Sequence, residues 1–379
     1  MVRRLYRKYM DSSPALRKIK PIRRRIRAAY RVLKNNKKEL SAYERAFEKQ
    51  KEEYDLTPDE LHNAWEFGFY PRSFLIYDFK KWGMEQFLTE RDFQKLDFRE
   101  RGLAPAIIDK RNLPLLLQKN AHYLPSLNIA IEKGRVQYII EDGVYKEGDF
   151  DLEELLQRCL NKYAKLITKP IRLCGGEGIF IVANTLSEDT IKRIEKEDDA
   201  IINNVLVNEE YARKINPSSL NTIRVIFFKT KKGVLKPISM VHRFGSTADT
   251  CVDNTAAGGV VAGVDMETGE LMPAWKLEKI RIDIEVHPKT GEKITGFMIP
   301  NWDNKKRAID DLLQEINYLE YGGLDLAFTT EGLKIIEINR RPDLRGVQIS
   351  SPALIDEEFV EFLTLRGFQK SKPMKMGKA

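Results

Sequence analysis

Cysteine and histidine are scarce in this chain, and each scarcity excludes something. The three cysteines, Cys159, Cys174 and Cys251, are too scattered across 379 residues for a disulfide framework or a zinc site. Four histidines without clustered spacing argue against a transition-metal enzyme. No uninterrupted apolar run approaches the roughly 18 residues that a membrane span needs. The N-terminus starts basic, but no apolar core follows, which speaks against a secretory signal. Neither zinc-finger spacing nor an aromatic-rich RNA-binding signature occurs, so nucleic acid is not an expected partner. A reducing cytoplasm fits best. What is present, 42% hydrophobic and 32% charged residues, describes a soluble globular chain long enough for two or three domains.

The net charge of +8 is unevenly placed. Residues 1–50 hold 17 Lys and Arg against 4 Asp and Glu, a net of +13, and the remainder carries −5. After Pro21, the apolar residues Ile22, Ile26, Ala29, Tyr30 and Leu33 recur at helical spacing while arginines cover the other faces, which predicts a basic amphipathic helix. Such a helix can lie on an anionic inner leaflet or an acidic glycan, or simply pack on the protein body. Thr57-Pro58-Asp59-Glu60 predicts a capped helix start. Trp65, Phe67, Phe69, Phe74 and Tyr77 after it read as core.

From Ile107 the composition shifts toward short strands. Ile129–Ile131 and Arg135–Glu141 read as strands joined near Lys133-Gly134, followed by a helix over 152–166. Residues 166–182 read as strand, glycine-rich loop, strand. Gly175, Gly176 and Gly178 let that backbone approach a ligand, its N–H groups suit phosphate oxygens, and Lys169 adds a point charge. No helix follows directly, so this is neither a Walker A loop nor a Rossmann turn. Val205 to Tyr211 reads as a strand ending in acidic residues, and Arg224 sits on the β-forming strand of the run Asn216–Phe228. A further strand pair is expected over 287–300, with helices over 303–319 and 355–365.

The most informative stretch runs from Tyr321 to Gln348. Two short apolar runs flank Thr330-Glu331-Gly332, which predicts a hairpin with a three-residue loop. With Thr329 paired to Leu333, Asp325 falls opposite Glu337, and Asn339 shares their face. Directly opposed carboxylates repel unless a cation lies between them. Two carboxylates and an amide oxygen suit Mg²⁺ carrying a nucleotide's phosphates, although an edge hairpin with a solvated polar face has the same pattern.

Taken together, Asp109-Lys110, Lys169-Pro170 with Gly175-Gly176-Glu177-Gly178, Val207–Tyr211, Ser219–Arg224, Asp253-Asn254 with Gly258-Gly259, Leu324-Asp325 and Ile336–Asn339 resemble the ATP-grasp superfamily. The match is to its sugar-transfer-associated branch, alpha-L-glutamate ligase-like, found with exopolysaccharide and capsule synthesis. The resemblance covers about 107–348. It implies an α+β fold in which two α+β subdomains grip ATP between antiparallel sheets. Here a helical N-terminal region stands where the usual α/β domain would be. The implied organisation is a basic helical segment (1–50), a helical aromatic-rich region (51–106), a lobe with the glycine-rich loop (107–210), a lobe with the metal site (211–350), and a C-terminal helix with a basic tail (351–379).

The resemblance also implies roles. Lys110 and Lys169 would contact ATP phosphates, with the Gly175–Gly178 loop closing over them. Val207, Glu209 and Glu210 would form the hinge that holds adenine and ribose. Arg224, with Lys169, would act in phosphoryl transfer, and Asp325, Glu337 and Asn339 would hold Mg²⁺. Arg243, Asn254, Arg340, Arg341 and Arg345 are substrate candidates. A glycine common in the family is Asp343 here, beside those arginines.

The implied enzyme is an ATP-dependent carboxylate–amine ligase working through an acylphosphate. It would join an amino acid or amine to a carboxylate such as a uronic acid of a surface glycan or its precursor. A phosphotransferase acting on a sugar hydroxyl, or a non-catalytic module docking through residues 1–50, fits the same residues. A cytoplasmic location, peripheral on the inner membrane face, accompanies this reading.

Overall fold

The computed structural model describes residues 42–96, 106–107, 109–171, 177–183, 185–197, 199–245 and 258–369. The basic helix expected after Pro21, the glycines Gly175 and Gly176, and Asn254 lie outside the described residues. No described helix is long and apolar enough to cross a membrane.

The described chain divides into two compact units. One contains the residues up to Phe74 together with Thr89–Leu96. Its helix Pro58–Phe67 starts on the expected capping box: Glu60 donates its backbone N–H to Thr57 Oγ1 at 3.3 Å, and its carboxylate accepts the Thr57 N–H at 2.8 Å. Tyr43, Phe47, Ala64 and Tyr70 form a small core. Beside them the buried Glu90 carboxylate accepts from the Tyr70 N–H and the Ser73 hydroxyl. Trp65 packs against Tyr43 and Phe47 yet stays 37% exposed, at the rim of this core rather than inside it.

The second unit contains Leu75–Leu88 and the described residues after Leu96. Gln348 ties its first segment in, accepting from the Leu88 N–H and donating to the Leu88 carbonyl. Two antiparallel sheets follow in order along the chain. The first has six strands: β1 (Leu127–Glu132), β2 (Arg135–Glu141), β3 (Val144–Lys146), β4 (Lys165–Pro170), β5 (Phe180–Ala183) and β6 (Asp199–Asn204), in the spatial order β3-β2-β1-β6-β4-β5. The second has seven: β7 (Thr222–Lys229), β8 (Leu235–Phe244), β9 (Val260–Gly263), β10 (Ala274–Leu277), β11 (Arg281–Ile284), β12 (Tyr321–Thr329) and β13 (Gly332–Asn339), in the order β11-β10-β9-β8-β7-β12-β13.

Each sheet buries one face under helices, and side-chain alternation decides what the other face offers. In the first sheet Leu127, Ile129, Leu166 and Ile202 pack with Leu155, Leu156 and Leu160 of the helix Leu152–Tyr163 and with Ile194 of the helix Glu188–Lys196. Leu166 points into that core, so Lys165, Ile167 and Lys169 stand on the opposite face of β4. In the second sheet Ile223, Val225, Leu324, Leu326, Ile335 and Ile338 pack with Ile309, Leu312 and Leu313 of the helix Trp302–Glu315. Thr222, Arg224, Asp325, Glu337 and Asn339 take the other face.

Several expectations need correcting. Val205–Tyr211 is not a strand. Strand β6 ends at Asn204, Asn208 makes a single bridge to Thr329, and a helix runs over Glu210–Ile215. The reason is tertiary: the Val205 N–H still bonds the Lys165 carbonyl of β4, but the Val207 carbonyl accepts from the Thr330 N–H and the Glu209 N–H bonds the Phe328 carbonyl, so the segment passes from one sheet to the other. The strand pair expected over 287–300 reduces to isolated bridges, Val286 with Lys293 and Glu270 with Met298. The regular strands there are β10 and β11, earlier in the chain. The helix expected over 152–166 stops at Tyr163, where Ala164 adopts φ 62° and the chain turns into β4.

Candidate active site

The hairpin predicted around Asp325 forms, but by a different route. Its connection is two residues long, and Thr329 pairs with Gly332 rather than Leu333. Gly332 has φ 92°, a conformation that any side chain would strain. Regular pairing from that turn would put Asp325 opposite Ile336. A bulge between Asp325 and Leu326 takes up the extra residue, so Leu326 pairs with Ile335 and Asp325 with Glu337. The opposition of the two carboxylates therefore depends on this irregularity.

On its other side Asp325 pairs with Arg224 of β7. The Arg224 guanidinium forks onto the carboxylate, with Nη2 at 2.8 Å from Oδ2 and Nε on Oδ1. Arg243, from β8, reaches Asp325 Oδ1 at 3.3 Å while also donating to the Thr222 hydroxyl. Burial works to raise the Asp325 pKa, but Arg243 and Arg224 overcome it and hold the group at about 2. Asn339 Nδ2 lies 3.5 Å from Asp325 Oδ2. Glu337 has no comparable partner among the described residues: Lys110 Nζ stands 4.0 Å away. Burial pushes the Glu337 carboxyl up, Lys110 offsets part of that, and the Asp325 charge adds to it.

These residues line a cavity of about 520 Å³ between the two sheets. From the six-stranded sheet it receives Lys165, Ile167 and Lys169 along β4, with Ile181 from β5. Val205, Leu206, Val207 and Asn208 close one end, and Leu220 and Ile336 provide further apolar wall. Among the described residues, six cations line it (Lys110, Lys165, Lys169, Arg213, Arg224, Arg243) against two carboxylates, Asp325 and Glu337. It thus combines an apolar slot with a strongly cationic end. Gly178, at φ 74°, lies just before β5, at the described end of the glycine-rich loop.

Lys169 is fixed by Asn203 of β6, whose Oδ1 accepts from Nζ at 3.0 Å. Asn203 in turn donates to the Leu127 carbonyl and the Asn128 side chain. Burial, then the neighbouring Lys110 charge, lowers the Lys169 pKa to about 8, with Glu337 acting the other way. The unfolded chain binds this proton more tightly, so this group adds stability as pH rises from about 8 toward 10.5. Anion binding has the opposite sign, because it needs the charged form. Affinity for a polyphosphate is therefore expected to fall as pH rises through about 8, and Lys169→Arg to flatten that fall. A series of binding titrations across pH 7–9.5 checks it, and a fall unchanged in the arginine variant would detach the effect from Lys169.

Not every expected site residue reaches the cavity. Glu209 pairs with the buried Lys305 at 2.9 Å, and Lys305 also donates to the Pro300 carbonyl and lies over the Phe328 ring. Glu210 pairs with Lys214 along its own helix. Neither glutamate is among the lining residues, whereas Val207 is. Arg340, Arg341 and Arg345 also stand outside the lining. Arg345 is held by Asp343, which accepts from its backbone N–H and from Nε at 2.7 Å. Sequence reading missed Asn203, Thr222, Lys165 and Arg213. The only signal was the polar pair Asn203-Asn204 ending an apolar strand. His242, on the buried face of β8, bonds to the Tyr211 hydroxyl, and burial lowers its pKa to about 3, so it stays neutral.

The family model for sugar-transfer associated ATP-grasp proteins matches residues 90–360. The chain belongs to that family. Its two antiparallel sheets around a cationic cavity are the ATP-grasp fold expected from the sequence. Among solved structures it is similar to the D-cycloserine synthetase DcsG, at 14% identity over 70% of this chain and 72% of that one, with a TM-score of 0.41. D-alanyl-alanine synthetase A from Vibrio cholerae aligns at 11% identity over 68% of this chain and 63% of that one, with a TM-score of 0.40. The ATP-grasp ligase PsnB, complexed with a phosphomimetic variant of its minimal precursor, Mg and ADP, aligns at 14% identity and a TM-score of 0.35. That match covers 65% of this chain but only 54% of PsnB, about half its length. No curated protein matches the chain by sequence.

Proposed function

We propose that this ATP-grasp protein joins an amine to a carboxylate at the expense of ATP, the acid belonging to a sugar or an amino acid. One observation carries the reading. Lys169 and Arg224 with Arg243 from the two sheets, and Lys110 from the turn before Asn112, line one cavity of about 520 Å³ with the opposed carboxylates Asp325 and Glu337 and the apolar side chains Ile167, Ile181, Leu220 and Ile336. In the proposed arrangement the base lies between Ile167, Ile181, Leu220 and Ile336 and meets the backbone of Val205–Val207. The phosphates reach Lys110 and Lys169.

The donor set fits Mg²⁺. This ion is held through one or two carboxylates plus substrate phosphates, not by a cage made wholly of protein. Asp325, Glu337 and Asn339 are such an incomplete set of hard oxygen donors, and among the described residues no group of three His, Cys, Asp or Glu competes with them. When bound, the ion would polarise the γ-phosphoryl group and offset its charge.

The chain's own part is positioning and charge. The acid's carboxylate oxygen attacks the γ-phosphorus, the bond to the β-phosphate oxygen breaks, and ADP leaves with its electron pair. Arg224, released from Asp325 as phosphates and metal arrive, meets the developing charge on the transferring oxygens. Arg243 offers its guanidinium to the acid, a geometry suited to carboxylates. An amine then attacks the acyl carbon and expels phosphate. Arg340, Arg341 and Arg345 have no place in this scheme.

The test is interception. With a candidate uronic or amino acid, Mg²⁺-ATP and hydroxylamine in place of the amine, the expected products are a hydroxamate, ADP and phosphate. A phosphorylated sugar without free phosphate or hydroxamate would replace the ligase reading with phosphoryl transfer to a hydroxyl.

A further inference from the structure

Arg111 follows Lys110 and points the other way. All three nitrogens of its guanidinium are bonded by the chain. Nε bonds both Asp109 oxygens at 3.0 and 3.2 Å, and Nη2 bonds Asp109 Oδ2 at 2.6 Å. Nη1 donates to the Ile131 carbonyl at 3.2 Å and to Asp199 Oδ1 at 3.0 Å. The Arg111 carbonyl accepts from the Tyr138 hydroxyl. Ile131 and Asp199 belong to β1 and β6, neighbours in the six-stranded sheet, and the Asp199 carbonyl accepts the Ile171 N–H just past the end of β4. One guanidinium thus bolts the Asp109–Arg111 turn to the ends of the central strands β1 and β6, beside the strand that carries Lys169.

We propose that Arg111 is the positioning residue for Lys110: by locking this turn to β1 and β6 it directs the Lys110 ammonium to the cavity, 4.0 Å from Glu337. Its own charge reaches the cavity weakly, because Asp109 and Asp199 neutralise it where it stands. Arg111 therefore acts through where Lys110 is held. Lysine cannot replace it, since a single ammonium does not span Asp109, Ile131 and Asp199 together. The inference rests on Lys110 contacting the nucleotide.

A double-mutant cycle on the full chain tests it, read as Mg²⁺-ATP affinity by calorimetry, with melting temperatures alongside. Arg111→Gln is expected to weaken binding about tenfold, the size of coupling found within one polar network. In a Lys110→Met background the same substitution should cost less than about twofold. Equal losses in both backgrounds would make Arg111 an ordinary structural clamp and overturn the proposal. Asp199→Ala, which removes the carboxylate at the sheet end of the bolt and leaves the Ile131 carbonyl, carries the same cycle if Arg111→Gln does not fold. Arg111→Lys should leave most of the loss in place, and full rescue by it counts against the proposal. If Lys110→Met leaves ATP affinity unchanged, the ATP-site reading fails and the proposal with it, an outcome distinct from an additive cycle.

Discussion

Glu337→Gln is expected to lower ATP turnover by about a hundredfold, or ~2.7 kcal/mol in the barrier. The amide keeps the shape of the side chain and removes a charge that no short ion pair satisfies among the described residues. Burial and the Asp325 charge already push this carboxyl up, so at neutral pH its ionised form costs the fold stability. A group whose folded pKa is raised contributes stability that is fully present below its unfolded pKa and is lost as pH rises through the folded one. The glutamine variant should therefore melt no lower than the wild type near pH 7 while turning over poorly. Steady-state ADP release and a thermal melt on the same preparation decide it. A well-folded variant with near-normal turnover would remove Glu337 from the metal site.

Arg224→Ala carries the second large effect, an expected fall in turnover of about a hundred- to a thousandfold, as when one preorganised donor to a developing charge is lost. Nucleotide affinity should change far less, because the contact strengthens as the phosphoryl group transfers. Here the fold does depend on the residue. Arg224 forks onto the buried Asp325, and stripping a buried carboxylate of its partner costs about 3–5 kcal/mol. Arg243 remains 3.3 Å away, so the loss should stay below that range. Arg224→Lys should recover stability better than turnover, since one ammonium neutralises Asp325 but cannot fork. Equal losses in affinity and turnover for the alanine variant would instead make Arg224 a ground-state binder.

Much of this was legible in the residues. The capping box at Thr57, the β1–β2 hairpin near Lys133-Gly134 and the strand–loop–strand around Lys169 are local patterns, written in turn chemistry and alternation. The hinge was not. Val205-Leu206-Val207 has strand composition, but its hydrogen bonds go to Lys165 on one side and Thr330 on the other. Composition cannot report where a partner strand lies. Nor could charge alone say which arginines after Asn339 face the cavity: Arg340, Arg341 and Arg345 stand outside its lining, and Asp343 accepts from Arg345.

The amino-acid sequence by itself determined the family and the set of chemical groups, because these follow from the order of the motifs, and the two-sheet α+β architecture came with the family resemblance. Only the tertiary structure decided which groups meet. A bulge at Asp325 restored a register that the turn had shifted by one, setting Asp325 against Glu337. The pairing of β7 with β12 placed Arg224 on Asp325, and Lys305, about a hundred residues downstream, drew Glu209 out of the cavity. Register and long-range ion pairs are set by the whole sheet closing over its core, and a one-residue shift turns every side chain to the opposite face.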